Sequence, residues 1–182
     1  AAARHPDTIL AWEMNGEPLS AHHGAPVRLV VPGWTGPHWM KWVVRLSPQA
    51  KPLTGYYMDK AYRFPKNPGD PGVTPPAAEM QPITELVVKS KITSAPAQAQ
   101  AGTPVAVVGF AFAGAPGIAK VEVSDDDGST WAEAQIDPLQ EPYAWRLWSH
   151  QWTPRAAGAA TLWVRATDGR GNVQPRQPVW NP

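Results

Sequence analysis

The 182-residue chain contains no cysteine, which excludes disulfides, thiol nucleophiles and thiolate metal ligands from within it. Nor is either charge in excess. Sixteen Lys and Arg stand against 15 Asp and Glu, for a net charge of +1, so charge alone points to neither a nucleic acid nor a membrane surface. No apolar run approaches the roughly 20 residues that cross a bilayer. Residues 1–8 lack the charged-then-apolar order of an export signal, so an exported parent protein would already have shed it. Walker and Gly-x-Gly-x-x-Gly loops are missing, as is any recognisable Ser, His and acid arrangement. Two residue types are abundant instead. The 22 prolines act against helices and favour short strands joined by fixed turns, and the 10 tryptophans bring large apolar area whose indole N–H needs a partner when buried.

With 43% hydrophobic residues the chain can build one packed domain plus a piece of another. Residues 9–46 read as short strands around tight turns. Ile9-Leu10-Ala11-Trp12 is apolar, Asn15-Gly16 is a strong hairpin signal, and Val27-Arg28-Leu29-Val30-Val31 is stopped by Pro32-Gly33. A second aromatic run, Trp39-Met40-Lys41-Trp42-Val43-Val44, follows. So few strands cannot make a core alone and should dock on something else. Residues 65–76, with Pro68-Gly69-Asp70-Pro71-Gly72, read as an extended connection. From about residue 82 the spacing is that of an immunoglobulin-like sandwich, with strands expected at 85–90, 103–112, 119–124, 131–135, 144–151, 160–167 and 178–180. The apolar run 105–108 suits a central strand, and alternation puts Leu162, Val164 and Ala166 on one face.

Three groups of side chains invite chemistry. Ser124-Asp125-Asp126-Asp127-Gly128-Ser129-Thr130-Trp131 has the look of a calcium loop or of an Asp-box hairpin. Its strand flanks, missing late acid and single copy favour a hairpin turn, with Asp126 accepting backbone hydrogen bonds and Trp131 packing. His22-His23 on extended backbone would point to opposite faces, and neither His38 nor His150 has a ligand-type neighbour, so a metal held by this chain alone is not expected. His23, Arg28 and Lys41, on and beside two strand-like runs, form the best local candidate for a phosphate site, against the alternative of three solvated charges.

These runs meet a known family. Ala11-Trp12-Glu13-Met14-Asn15-Gly16-Glu17-Pro18-Leu19, then His23-Gly24-Ala25-Pro26-Val27-Arg28-Leu29-Val30-Val31-Pro32-Gly33, Met40-Lys41-Trp42 and Gly55-Tyr56-Tyr57-Met58-Asp59-Lys60-Ala61-Tyr62-Arg63-Phe64-Pro65 resemble the sulfite oxidase family of molybdenum-cofactor enzymes, in a bacterial form. Pro82-Ile83-Thr84, Val121-Glu122-Val123-Ser124, Gly128-Ser129-Thr130-Trp131, Trp145-Arg146-Leu147-Trp148, Asn172-Val173-Gln174-Pro175 and Trp180-Asn181 resemble its sandwich domain in order.

The resemblance implies a mainly β chain: residues 1–64 from the end of the molybdopterin-binding domain, a linker at 65–81, and an immunoglobulin-like dimerisation domain at 82–182. It implies that His23, Arg28, Trp39, Met40 and Lys41 bind the molybdopterin and that Tyr62 is the active-site tyrosine. A planar Arg fork and a Lys point charge suit the cofactor's phosphate. The family's molybdenum-ligating cysteine is expected on a preceding amino-terminal portion, so this chain alone should be inactive. The implied parent is a periplasmic sulfite dehydrogenase-like homodimer passing electrons to a cytochrome c-type or other acceptor, with no membrane span and no nucleic-acid partner. Where animal and plant members place a substrate-side arginine, the chain has Gly114-Ala115-Pro116-Gly117, with Lys120 the nearest cation. That opens the alternative of a sulfane or other non-sulfite dehydrogenase. A non-catalytic sandwich module binding carbohydrate or protein through its tryptophans is the alternative from another class, though it has no need of the first sixty residues.

Overall fold

The computed structural model describes residues 5–67, 73–138, 141 and 143–176. The strand expected at 178–180 and the motif Trp180-Asn181 lie outside them. The chain divides into two compact units, at Ala1–Leu86 and Val87–Arg176.

In the first unit β1 (Ile9–Ala11) pairs antiparallel with β4 (Arg28–Val30), setting Ala11 opposite Arg28. Between them β2 (Glu13–Met14) and β3 (Glu17–Pro18) form the hairpin that Asn15-Gly16 signals. Both turn residues have positive φ, 57° and 80°, which a two-residue turn matching strand twist requires. The aromatic run at 39–44 departs from expectation and forms no strand. Trp42 takes φ 53°, which turns its indole N–H to the Ala21 carbonyl at 2.9 Å and interrupts any ladder. The run still lies along β4, through Leu29 N–H to Met40 O and Val43 N–H to Val27 O.

Further along, β5 (Arg63–Pro65) pairs with β6 (Met80–Pro82), so both ends of the proline-rich connection belong to this unit. Residues 83–86 then run beside 33–35, with Thr35 N–H to Thr84 O, Leu86 N–H to Gly33 O and a bridge from Trp34 to Glu85.

The second unit is a β-sandwich. Its strands are β7 (Lys89–Ser94), β8 (Val105–Phe112), β9 (Ile118–Ser124), β10 (Ala132–Glu133), β11 (Gln135–Ile136), β12 (Arg146–Trp152) and β13 (Trp163–Asp168). One sheet has the order β10-β9-β13 and the other β11-β12-β8-β7. The single strand expected at 131–135 is split: β10 pairs with β9 and β11 with β12, the chain changing sheets at buried Ala134. The strand expected at 85–90 begins later, because Glu85 is taken into the bridge with Trp34. Val107, Val121, Val123, Trp148 and Ala166 fill the core, with Leu162 and Val164 packed against it as alternation requires.

The outer face of the smaller sheet is closed by charge and stacking. Arg165 donates from Nε to Glu122 Oε2 at 2.8 Å and lies 4.1 Å over the Trp131 ring, while Lys120 Nζ donates to Glu122 Oε1 at 2.9 Å. Burial alone would raise the Glu122 pKa, but hydrogen bonds and charge from Arg165 and Lys120 outweigh it and hold the carboxyl below its usual range. Arg176 likewise bonds Asp127 and stacks on Trp163.

The aspartate tract forms the expected hairpin turn. Asp126 accepts from Thr130 N–H, Thr130 Oγ1 and Ser124 Oγ, and Trp131 Nε1 donates to Gly128 O. The Thr130 hydroxyl and N–H, followed by the Ser124 hydroxyl, lower the Asp126 pKa from 3.8 to about 2. A pKa depressed on folding adds stability that is complete above the unfolded value and is lost as pH falls through the folded one. Asp126→Ala should therefore melt earlier than wild type at pH 6, with the gap closing as pH falls from 3.8 toward about 2. Thermal melts across that range test this, and a gap independent of pH would contradict it.

Candidate functional site

The five residues from Ser20 to Gly24 organise the site. Ala21–His23 is a single 3-10 turn, begun by Ser20 Oγ accepting the His23 N–H and ended by Gly24 at φ 105°. His22 and His23 are thus on a turn rather than on the extended backbone expected. The His23 ring engages Ser20 through Nδ1, 2.9 Å from Oγ. Three long side chains converge on the turn's carbonyls. Arg28 donates to His23 O at 3.0 Å, Lys41 to His22 O at 2.7 Å, and Trp42 to Ala21 O at 2.9 Å.

Gly24 lets them meet. A Cβ there would lie 2.9 Å from Lys41 Cβ and 3.2 Å from Arg28 Cβ, on a backbone conformation that side chains rarely adopt. The structure thus brings His23, Arg28 and Lys41, distant in sequence, to one turn. Among the described residues no carboxylate pairs with any of the three, so their charge is not neutralised locally. Arg28 Nε is buried without a hydrogen-bond partner among the described residues.

Trp39 is placed at one remove. Its ring centroid is 5.9 Å from the Arg28 guanidinium carbon and its Nε1 donates to Trp34 O at 3.1 Å. Met40 has an exposed side chain and contributes its carbonyl to Leu29 N–H at 2.7 Å.

Tyr62 follows a π-helical turn, Tyr57–Ala61, and stacks on Tyr57 with centroids 5.5 Å apart. Its ring is partly exposed. A short relay ties its backbone to the wall that carries Trp39: Ile83 N–H donates to Tyr62 O at 3.0 Å, and His38 Nε2 donates to Ile83 O at 2.9 Å. Sequence reasoning set His38 aside. No local signal could have found this role, because the partner is a backbone carbonyl 45 residues away.

The donor set is one-sided. Among the described residues the guanidinium, ammonium and imidazole groups pair with no acid, and there is no cluster of three metal-ligating side chains. Such a wall can hold a phosphate or a polar heterocycle, but it supplies no metal ligands of its own. Arg28, Lys41 and His23 are donors of the type that suits a phosphorylated pterin.

A profile described as oxidoreductase molybdopterin binding domain matches residues 1–57, and one described as Mo-co oxidoreductase dimerisation domain matches residues 80–182. The chain belongs to the sulfite oxidase family of molybdenum-cofactor oxidoreductases.

Its similarity to individual members runs along nearly its whole length. It is 36% identical to the mitochondrial sulfite oxidase of Macaca fascicularis, covering 95% of this chain and 33% of that protein. It is 32% identical to inducible NADH nitrate reductase 2 of Glycine max, covering 96% and 22%. Among solved structures, the sulfane dehydrogenase SoxCD of Paracoccus pantotrophus matches with a TM-score of 0.74 at 32% identity, over 93% of this chain and 42% of that one. The chain thus spans about a third of the length of the mitochondrial sulfite oxidases it matches and about half that of the Arabidopsis thaliana sulfite oxidase.

Proposed function

We propose that this chain is the carboxyl-terminal part of a molybdenum enzyme that oxidises sulfite or a related sulfur oxyanion, and that it supplies one wall of the pterin pocket. The observation that carries the reading is the meeting of Arg28, Lys41 and His23 on one turn, with no carboxylate paired to them among the described residues. In it Arg28 and Lys41 bind the cofactor's phosphate, His23 donates to the pterin or phosphate, and Trp39 and Met40 complete the wall. When bound, the molybdenum cofactor supplies oxygen-atom transfer and a two-electron couple. The metal-ligating cysteine comes from the remaining part of the molybdopterin-binding domain, so this chain alone is inactive.

Tyr62 presents its hydroxyl to the substrate oxyanion and holds a proton there, registered to the pterin wall through Ile83 and His38. The parent enzyme is periplasmic and passes electrons singly to a cytochrome c-type or other acceptor. No helix among the described residues is long and apolar enough to cross a membrane.

A second reading has its own support. The 114–117 turn offers no cation, and Lys120 Nζ is held by Glu122. One structural neighbour is named a sulfane dehydrogenase. In the complete enzyme, steady-state turnover of sulfite against sulfane substrates separates the two, and fast sulfite turnover counts against the second. For a non-catalytic module that binds through its tryptophans, Trp131 and Trp163 lie under arginines, Trp148 is buried and Trp152 is bonded to Asp125, which leaves Trp145 as the exposed tryptophan among the described residues of the sandwich.

Tyr62→Phe in the complete enzyme should keep its molybdenum content and lose activity by roughly 100-fold, the usual size of a lost proton-handling group. Unchanged turnover would remove Tyr62 from the mechanism.

A further inference from the structure

Four consecutive carbonyls, from Ala21 to Gly24, are each held by a donor from further along the first unit. Lys41 takes His22 O and Arg28 takes His23 O. The two outer carbonyls both go to one residue that has no part in the reading above. Trp42 donates its indole Nε1–H to Ala21 O at 2.9 Å and its backbone N–H to Gly24 O at 3.3 Å. Its ring also lies beside Lys41, with Nζ 5.7 Å from the centroid, within cation–π range.

These bonds, rather than packing, hold the turn. Ala21–His23 contains no buried residue, and Trp42 is itself 57% exposed, so little apolar burial fixes either. Trp42 also stands at φ 53°, which bulky side chains seldom adopt. Asn15 and Asp127, of the polar types that tolerate positive φ, take it in hairpin turns, and glycine at position 42 would relieve the backbone. A strained aromatic residue on an exposed segment contributes through what its side chain does. The strain has a use here. Val43 returns to Val27 O beside β4, while Lys41 and Trp42 both reach back to the 21–24 segment.

We propose that Trp42 is a positioning residue of the cofactor wall. It clamps the 21–24 turn at both ends and so fixes the spacing of His23, Arg28 and Lys41 toward a phosphate. It acts through the turn, not on the phosphate itself. A phosphate is gripped by donors that converge at a set spacing, so a turn free to shift loses affinity before it loses the fold. The proposal rests on the reading that this turn binds the molybdopterin, and it adds what holds the turn in shape.

Release of molybdopterin from the complete enzyme, followed over time by pterin fluorescence, tests it beside thermal melts. Trp42→Phe keeps a ring next to Lys41 but removes the indole donor. It should melt within a few degrees of wild type and release the cofactor roughly three- to tenfold faster, the size of one lost hydrogen bond. Trp42→Gly removes the same donor and relieves the backbone. It should release the cofactor at least as fast as Trp42→Phe while melting no lower. A merely structural role makes retention follow melting temperature across the three proteins, and that result, or unchanged release in both variants, would overturn the clamp. If Trp42→Gly fails to fold, Trp42→Phe decides alone: near-wild-type melting with faster release supports the clamp, and unchanged release overturns it. Arg28→Ala separates the clamp from the reading beneath it. Cofactor lost there but fully retained in both Trp42 variants overturns the clamp only, whereas full retention in all three overturns both.

Discussion

Arg28→Ala, introduced into the complete enzyme, is expected to purify folded but with less than about a tenth of the wild-type molybdopterin. Losing one partner of a buried charge-assisted contact costs about 2–5 kcal/mol, and 1.4 kcal/mol already makes a tenfold change in occupancy. Arg28 donates to His23 O and shares that turn with Lys41, with no carboxylate paired to either among the described residues. Arg28→Lys keeps the charge but removes the planar fork, so it should recover only part of the binding. Pterin fluorescence and metal analysis read the result, with circular dichroism to show that the fold is kept. Full cofactor retention in Arg28→Ala would take that residue out of the pocket. Gly24→Val should act in the same direction, because its side chain would press on Lys41 and Arg28 together.

Trp148→Ala should have the largest effect on stability, about 3–5 kcal/mol, measured by denaturant unfolding. The ring is 2% exposed and is the largest side chain fully enclosed in the sandwich. Its cross-strand partner is Gly109, where any side chain would strike the Trp148 ring and the Lys91 carbonyl. Gly109→Ala should accordingly cost about 1–3 kcal/mol by overpacking. Trp148→Phe should cost only roughly 1–2 kcal/mol. It removes a buried indole N–H that has no partner, which offsets part of the cavity it leaves. If Trp148→Ala cost less than Trp148→Phe, the packing described for this core would be wrong.

How much of this was legible beforehand depended on the range of the interactions. The Asn15-Gly16 hairpin, β4 and the Asp126 turn are local, and residue type alone placed them. The inward set Leu162, Val164 and Ala166 followed from alternation, because one face of β13 is buried. The strand expected at 39–44 failed because Trp42 leaves the extended conformation at φ 53°, with its indole on Ala21 O, 21 residues back, a partner that no local pattern announces. The split into β10 and β11 escaped notice because a change of sheet at Ala134 leaves no mark on a short alternating run.

The site was legible only in part. Residue types marked His23, Arg28 and Lys41 as a possible cluster, but their meeting on the 21–23 turn depends on Gly24 and on two backbone carbonyls. The roles of Trp39, Met40 and Tyr62 came from family resemblance. The His38 to Ile83 to Tyr62 relay had no precursor in the pattern, since backbone partners carry no residue identity.

The most direct test of the central claim is to measure molybdenum and pterin in the complete protein, with and without the Arg28→Ala change. The account predicts a molybdenum-loaded wild type and a folded variant that has lost metal and pterin together. A folded wild type that holds neither, when produced in a host that makes the cofactor, would contradict it.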